Sequence, residues 1–311
     1  MDLFCGAGGS SWGAKSAGVR IVAAFDVWST AQAVYQDNFP NTRFYSRRLE
    51  EVDPSSVANE LGQIDLILAS PECTNHSVAR GNRPRCERSR ETAFLVTKFA
   101  RILKPRWLVI ENVVSMKNWK RYDELMAEMQ SLGYHTTVQT LNAVDFGVPQ
   151  ARRRMFILCD YEKEPSPVVP RGRRNRIAKD IIDTTATYRF SPLRTVNRAK
   201  ATLERAERAI SALSEKKPFL IVYYGTDRAG GWQSVDVPLR TVTTLDRFAY
   251  VKPTPNGHMM RMLQPEELKL AMGWPKKFRI IHGPRRSKIK MIGNAVCPPV
   301  MQAVLRALVK R

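Results

Sequence analysis

The segment Ala69–Ser77 (ASPECTNHS) places Cys73 in a polar loop directly after the apolar run IDLIL. Loops at the carboxyl ends of strands are where α/β enzymes hold reactive groups, and a thiol there is a candidate nucleophile. A lone cysteine otherwise reads as a small buried hydrophobe. What separates Cys73 from that reading is its proline-initiated polar loop. Arg80, Arg83, Arg85, Arg88 and Arg90 follow. Cationic surroundings favour the thiolate, while the adjacent Glu72 opposes it. The arginines read either as a solvated basic loop or as a loop that closes over phosphates.

A second chemistry-bearing pair ends the strand LVIEN. Glu111 and Asn112 are badly placed for a core and well placed for a site. A carboxyl beside a buried ligand has a raised pKa and serves as proton donor or hydrogen-bond clamp. The competing role for Asn112 is a helix N-cap. In DFGVPQARRRMFIL, Asp145–Leu158, the residues Gln150, Arg152 and Arg154 alternate as a strand begins, so their side chains share one face. Alternating arginines bind carboxylates, phosphates or base edges, or form structural salt bridges. In DLFCGAGGSS, Asp2–Ser11, a strand runs into Gly6, Gly8 and Gly9, and Asp26 ends the next strand. Glycines let backbone approach a ligand, and an acid at that position takes ribose hydroxyls. Without Asp26 the glycines would equally mark a plain tight turn. In MIGNAVCPPVMQAV, Met291–Val304, Gly293–Asn294–Ala295 leads into a terminal helix.

These segments need elements to hold them. Apolar runs at Val19–Phe25, Ile64–Ala69, Trp107–Ile110 and Met155–Leu158 have the character of buried parallel strands. Helical patterns at Ser29–Asn38, Thr92–Leu103 and Tyr122–Leu132 lie between them. The alternation predicts a doubly wound α/β sheet. Glu164–Pro170, with three prolines, reads as a linker. Beyond it a helix at Arg198–Leu213 and a β-rich stretch at Phe219–Val251 read as a separate small domain, and helices return at Pro265–Met272 and Val300–Leu308. The expected division is 1–164, 165–258 and 259–311.

The chain has 311 residues, 43% of them hydrophobic, which excludes disorder and a disulfide scaffold for the whole chain. Fifty Lys/Arg against 29 Asp/Glu give a formal charge of +21, which points to a polyanionic partner. Residues 165–217 carry 13 Lys/Arg against 5 Asp/Glu, and Lys276–Lys290 carries seven Lys/Arg and no acid. The second run reads as a loop that faces the polyanion or as a solvated loop. Five cysteines without a CxxC pair, and four scattered histidines, give no zinc pattern and fit a reducing interior. No run is long and apolar enough for a membrane span, and the N-terminus has no signal-peptide character.

Taken in order, these segments resemble the cytosine carbon-5 DNA methyltransferase family. The resemblance rests on DLFCGAGG, FD after the second strand, the Cys73 loop, ENV, QARRR, RMLQPEELKLAMGWP (Arg261–Pro275) and IGNAV, spread over nearly the whole chain. It implies a Rossmann-like, doubly wound, mostly parallel sheet of the class I methyltransferase type, with a smaller inserted target recognition domain at Pro165–Asp236 and beyond. It implies S-adenosylmethionine held by Phe4, Gly6, Gly8, Gly9, Asp26, Val27, Asn294 and Ala295. Cys73 would be the nucleophile at carbon 6, Glu111 would grip the base at N3, and Arg154, with Arg152 behind it, would hold the exocyclic oxygen. Ser77, Arg80, Arg83 and Gln150 would contact duplex DNA, and no metal is implied. The target base would be flipped out of the helix. Gly230–Gly231–Trp232–Gln233 reads as a groove-facing turn or an ordinary hairpin turn. A monomeric, cytoplasmic, nucleoid-associated protein of bacterial or phage origin is expected, with a functional link to a restriction endonuclease.

The sequence also departs from the family. Glu72 stands where the family has proline, and Thr74 where it has glutamine. The change would raise the thiol pKa, alter loop closure, or alter the base or donor accepted. Arg48 occupies the place of an acid near the adenine, and Val27 that of an aromatic, for which Trp28 would substitute. The first motif opens the chain, so a native N-terminal extension is left open. Two other readings remain: a transfer RNA cytosine methyltransferase on the same scaffold, and a DNA-binding relative with altered catalysis.

Overall fold

Apolar runs that are buried on both faces must sit inside a sheet covered twice. In the computed structural model, which describes residues 1–72, 86–87, 91–170, 176–185, 188–224 and 229–309, that is their place. Seven strands form the first sheet: β1 Asp2–Leu3, β2 Ala23–Phe25, β3 Arg43–Tyr45, β4 Leu66–Ala69, β5 Trp107–Asn112, β6 His135–Asn142 and β7 Arg153–Asp160. Their spatial order is β3-β2-β1-β4-β5-β7-β6. The first five are parallel, and β7 is antiparallel to both β5 and β6. This is the expected doubly wound, mostly parallel sheet. The order reverses at β1, with β2 on one side and β4 on the other, so a crevice opens above its carboxyl end.

The period of two along each strand divides the core. Leu66 and Leu68 of β4 and Phe156 and Leu158 of β7 face one side. Ile67, Ala69, Met155 and Ile157 face the other. The first side is covered by α1 (Gly9–Ser16), α2 (Ser29–Asn38) and a C-terminal helix (Pro298–Leu308), through Ala14, Val34, Tyr35, Val304 and Leu308. The second is covered by α3 (Pro54–Leu61), α4 (Thr92–Leu103) and α5 (Tyr122–Ser131), through Val57, Val96, Phe99, Leu125 and Met129. Among the described residues no helix is long and apolar enough to cross a membrane.

A second, antiparallel sheet has the order β10-β9-β11-β12-β8, from β8 Ser191–Pro192, β9 Phe219–Val222, β10 Trp232–Ser234, β11 Phe248–Thr254 and β12 Gly257–Met262. Helix α6 (Lys200–Leu213) lays Ala206 and Ala209 on Phe219, Ile221 and Val251. The alternate residues Leu220, Val222 and Phe248 join the main core. The small unit is thus fused to the large one by its second face. The expected boundary at 258 falls inside β12.

Other boundaries also moved. The strand expected from Val19 begins at Ala23. The segment expected at Met155–Leu158 is longer and antiparallel. Strands β3 and β6 were unmarked by apolar runs. The polar, Thr-rich β6 is an edge strand, held by an eight-residue ladder to β7. The proline-rich stretch is not a free linker. The Gln139 amide bonds both backbone groups of buried Val168 at 2.9 Å, and Thr137 Oγ1 donates to Pro165 O at 3.0 Å. The basic run read as a loop includes helix α8 (Arg285–Asn294), between α7 (Pro265–Ala271) and the last helix, α9. Gly293–Asn294 therefore ends one helix before the next begins.

The RMLQPEE segment is held by a buried ion pair. Arg261 donates to both Glu267 oxygens at 2.7 Å, and those oxygens also accept Gln264 N at 2.6 Å and Asp183 N at 2.8 Å. Removing one partner leaves a buried charge uncompensated. Glu267→Ala should lower the unfolding free energy by about 3–5 kcal/mol, whereas replacing both residues by apolar ones of similar volume should cost much less. Urea denaturation of the single and double variants checks this.

Candidate active site

The crevice at the carboxyl edge contains a cavity of about 370 Å³, large enough for a nucleoside-sized ligand. Consecutive strands supply its wall: Phe4 and Gly6 after β1, Asp26, Val27 and Trp28 after β2, Arg47 and Arg48 after β3, Ser70 and Glu72 after β4, and Glu111 within β5. Asn294 and Ala295 close it from the end of α8.

The β1 turn is bent through left-handed backbone at Phe4 (φ 58°), Gly6 (φ 51°) and Gly8 (φ 91°). Such a conformation at a non-glycine residue is strained and belongs at functional turns. Gly6 faces open space, with nothing within 4 Å of a hypothetical Cβ. Gly8 and Gly9 do not line the cavity, contrary to expectation. A Cβ on Gly8 would lie 2.6 Å from Phe39 and 3.1 Å from Tyr35, and one on Gly9 would strike the Val296 carbonyl. Both are glycine because neighbouring elements pack against them.

Asp26 is oriented by backbone amides. Gly6 N donates to Oδ2 and Trp28 N to Oδ1, each at 2.9 Å. Burial pushes its carboxyl up, these amides oppose that, and negative Glu72 adds a further upward push. The Lys290 ammonium lies 4.8 Å from the Trp28 ring centroid at the cavity wall. Val27 is 56% exposed. Among the described residues Ser70 Oγ is a buried hydroxyl of the wall with no partner.

Glu111 is 5% exposed, and Arg154 Nε lies 3.2 Å from its Oε1. Burial pushes the Glu111 carboxyl up, and Arg154 and Arg152 pull it down. Asn112 donates to Pro71 O at 3.2 Å and accepts from Val113 N at 2.8 Å. It therefore ties β5 to the start of the loop that leads to Cys73. Cys73 itself lies outside the described residues, as do Ser77, Arg80, Arg83, Arg85, Arg88 and Arg90. Cys5, Cys159 and Cys297 are buried, and burial pushes their thiols up, that of Cys297 to about 11.

Gln150 and Arg152 do not form the single ligand-binding face with Arg154 that their alternation predicts. Gln150 is fully buried: its Nε2 donates to Ala271 O at 3.0 Å, and its Oε1 accepts Val242 N at 2.8 Å. Arg152 is 3% exposed and donates to Val242 O (2.9 Å), Gly293 O (2.8 Å) and Ala295 O (3.1 Å). The reason is that regular strand begins only at Arg153, so no simple alternation places these side chains. Only Arg154 reaches Glu111 directly.

A family model described as C-5 cytosine-specific DNA methylase matches residues 1–310. The chain belongs to that family. Curated relatives include the type II methyltransferase M.HindV of Haemophilus influenzae, 27% identical over 99% of this chain and 95% of the relative. M.AgeI of Thalassovita gelatinovora is 32% identical, over 57% of this chain and 44% of the relative, so the chain spans under half of that protein. Among solved structures, a mutant of Spodoptera frugiperda DNMT2 shares the fold with a TM-score of 0.73 at 16% identity, over 100% of this chain and 99% of that one. A putative DNA modification methyltransferase encoded within an E. coli prophage gives 0.70 at 16% identity, over 98% and 97%.

Within this C-5 methylase fold, sequence reasoning missed Ser70 and Lys290 as wall residues. Ser70 carried no signal beyond its place at a strand's end. Lys290 was hidden in a basic run whose helix was not anticipated. The two turn glycines separate strain from packing. Gly6→Ala should cost about 1 kcal/mol, from backbone alone. Gly8→Ala should cost about 2–4 kcal/mol, because overpacking adds to strain. Thermal unfolding of both variants measures the difference.

Proposed function

We propose that this protein methylates carbon 5 of cytosine in a specific duplex DNA sequence, with S-adenosylmethionine as donor. The observation that supports this most is buried Glu111 at the wall of the cavity, with Arg154 Nε 3.2 Å from its carboxylate, on the strand whose Asn112 holds the start of the Cys73 loop. An acid and an arginine side by side match the N3 and O2 edge of a flipped cytosine.

The wall residues fit the donor. Asp26 presents its remaining lone pairs to ribose hydroxyls, Trp28 and Phe4 offer aromatic surface, and the unpartnered Ser70 hydroxyl awaits a polar group. Val27, Asn294 and Ala295 complete the contact surface. The donor supplies a methyl group on a sulfonium.

Cys73 attacks carbon 6 of the extruded base as thiolate, and the ring electrons move toward carbon 5 and N3. Glu111 delivers a proton or hydrogen bond to N3 and so disperses the developing charge. Burial favours the protonated acid, so the donor form persists above the ordinary carboxyl range, and Arg154 limits that rise. Arg154 also holds O2. Carbon 5, now enamine-like, accepts the methyl group. Loss of its proton to solvent, expulsion of the Cys73 thiolate and return of the N3 proton to Glu111 restore the ring.

The +21 charge draws in the phosphates and makes binding steeply salt-dependent. In the recognition unit, Arg208 Nε donates to Gly230 O at 2.8 Å and Arg240 Nη2 to Ala229 O at 3.1 Å. They stiffen a turn whose two glycines have positive φ, a candidate for groove contact. Gln233 belongs to the interior and not to that contact. The curated relatives are named type II methyltransferases, which supports a cytoplasmic partnership with a restriction endonuclease.

Duplex DNA carrying 5-fluorocytosine tests the mechanism, since fluorine cannot leave carbon 5 as a proton does. A covalent complex should form with the wild type and be absent with Cys73→Ser. Glu111→Gln should slow turnover by roughly 10²–10⁴-fold. Adduct formation on RNA but not on DNA would move the substrate to RNA. Absence of adduct on both, with DNA binding retained, would remove the covalent step.

A further inference from the structure

The strand order polarises the cavity. Arg47 and Arg48 stand after β3 at one end; Glu72 stands after β4, three strands away, where the Cys73 loop begins. Asp26 and Gly6 lie between them. A donor that spans this wall must present its reactive centre at the β4 end, because the nucleophile's loop starts there.

Glu72 is fixed at that end. Its amide donates to Thr92 Oγ1 at 3.3 Å, and the preceding carbonyl, of Pro71, accepts from Asn112. Glu72 and Ser70 both line the cavity, and the charge of Glu72 reaches Asp26, whose carboxyl it helps to push up. The proline that the family carries at this position would bring no charge to the wall.

We infer that Glu72 is a donor-selectivity residue, whose carboxylate favours the cationic methyl donor over the neutral thioether left after transfer. The inference rests on the donor site proposed above. S-adenosylmethionine and S-adenosylhomocysteine differ by one methyl group and one positive charge at sulfur. A carboxylate near that sulfur stabilises the first and does almost nothing for the second. For an exposed wall residue such as Glu72 the bias is about three- to tenfold, and it shrinks as salt screens it. The consequence is weak product inhibition, since the spent thioether leaves a site tuned to charge.

Calorimetric titration of the DNA-free protein with each ligand tests this. Glu72→Gln should weaken S-adenosylmethionine by about three- to tenfold and leave S-adenosylhomocysteine within about twofold. That unchanged affinity also shows that the variant is folded. Glu72→Asp should retain the preference, and about 0.5 M salt should narrow the wild-type gap. Equal weakening of both ligands, or no change in either, would overturn the assignment. If the wild type binds neither ligand, the donor site itself falls, and the selectivity role with it.

Discussion

A guanidinium cannot be buried without acceptors, and the one on Arg152 finds them in three carbonyls, of Val242, Gly293 and Ala295. These lie 90, 141 and 143 residues away in sequence. One side chain thus joins the segment that enters β7, the segment that leads into β11, and the turn that closes the cavity. Gln150 repeats the device two residues earlier, linking Val242 to the end of α7. Gly293 completes it, because a side chain there would strike the backbone of Thr243 and Thr244. The cavity has a C-terminal wall because this junction holds it.

From that junction the chemistry follows in layers. The reversal of strand order at β1 opens the crevice, and the ends of β2, β3, β4 and β5 contribute polar groups to it. Asp26 is aimed by two amides, Glu111 by Arg154, and the loop leading to Cys73 by Asn112. Burial raises both acids, while amides restrain Asp26 and cations restrain Glu111. The smaller unit is not a loose appendage. One face of its sheet belongs to the same core that packs under the large sheet.

Much of this was legible in the sequence. β4 and β5 were marked by apolar runs because both faces are buried, and Asp26 and Glu111 were marked as polar residues at the ends of such runs, whereas Asn294 was marked only by the family resemblance. What escaped was set by tertiary context. β6 reads as polar because it is an edge strand, and its partner supplies its order. Gln150 and Arg152 look like ligands, since arginine and glutamine at strand starts face outward unless distant carbonyls claim them. Gly8 and Gly9 look like a nucleotide cradle, and only packing against Tyr35, Phe39 and Val296 shows that they serve the core. Glu111 and Arg154 were each singled out separately; their 3.2 Å contact was not legible, because it depends on β5 and β7 being neighbours in the sheet.

The most direct test of the account is nucleoside mass spectrometry of duplex DNA after incubation with the protein and S-adenosylmethionine bearing an isotopic methyl label. The account predicts labelled 5-methylcytosine, confined to one sequence context and abolished by Cys73→Ser. Label on the exocyclic nitrogen of cytosine, on adenine, or on RNA alone would contradict it.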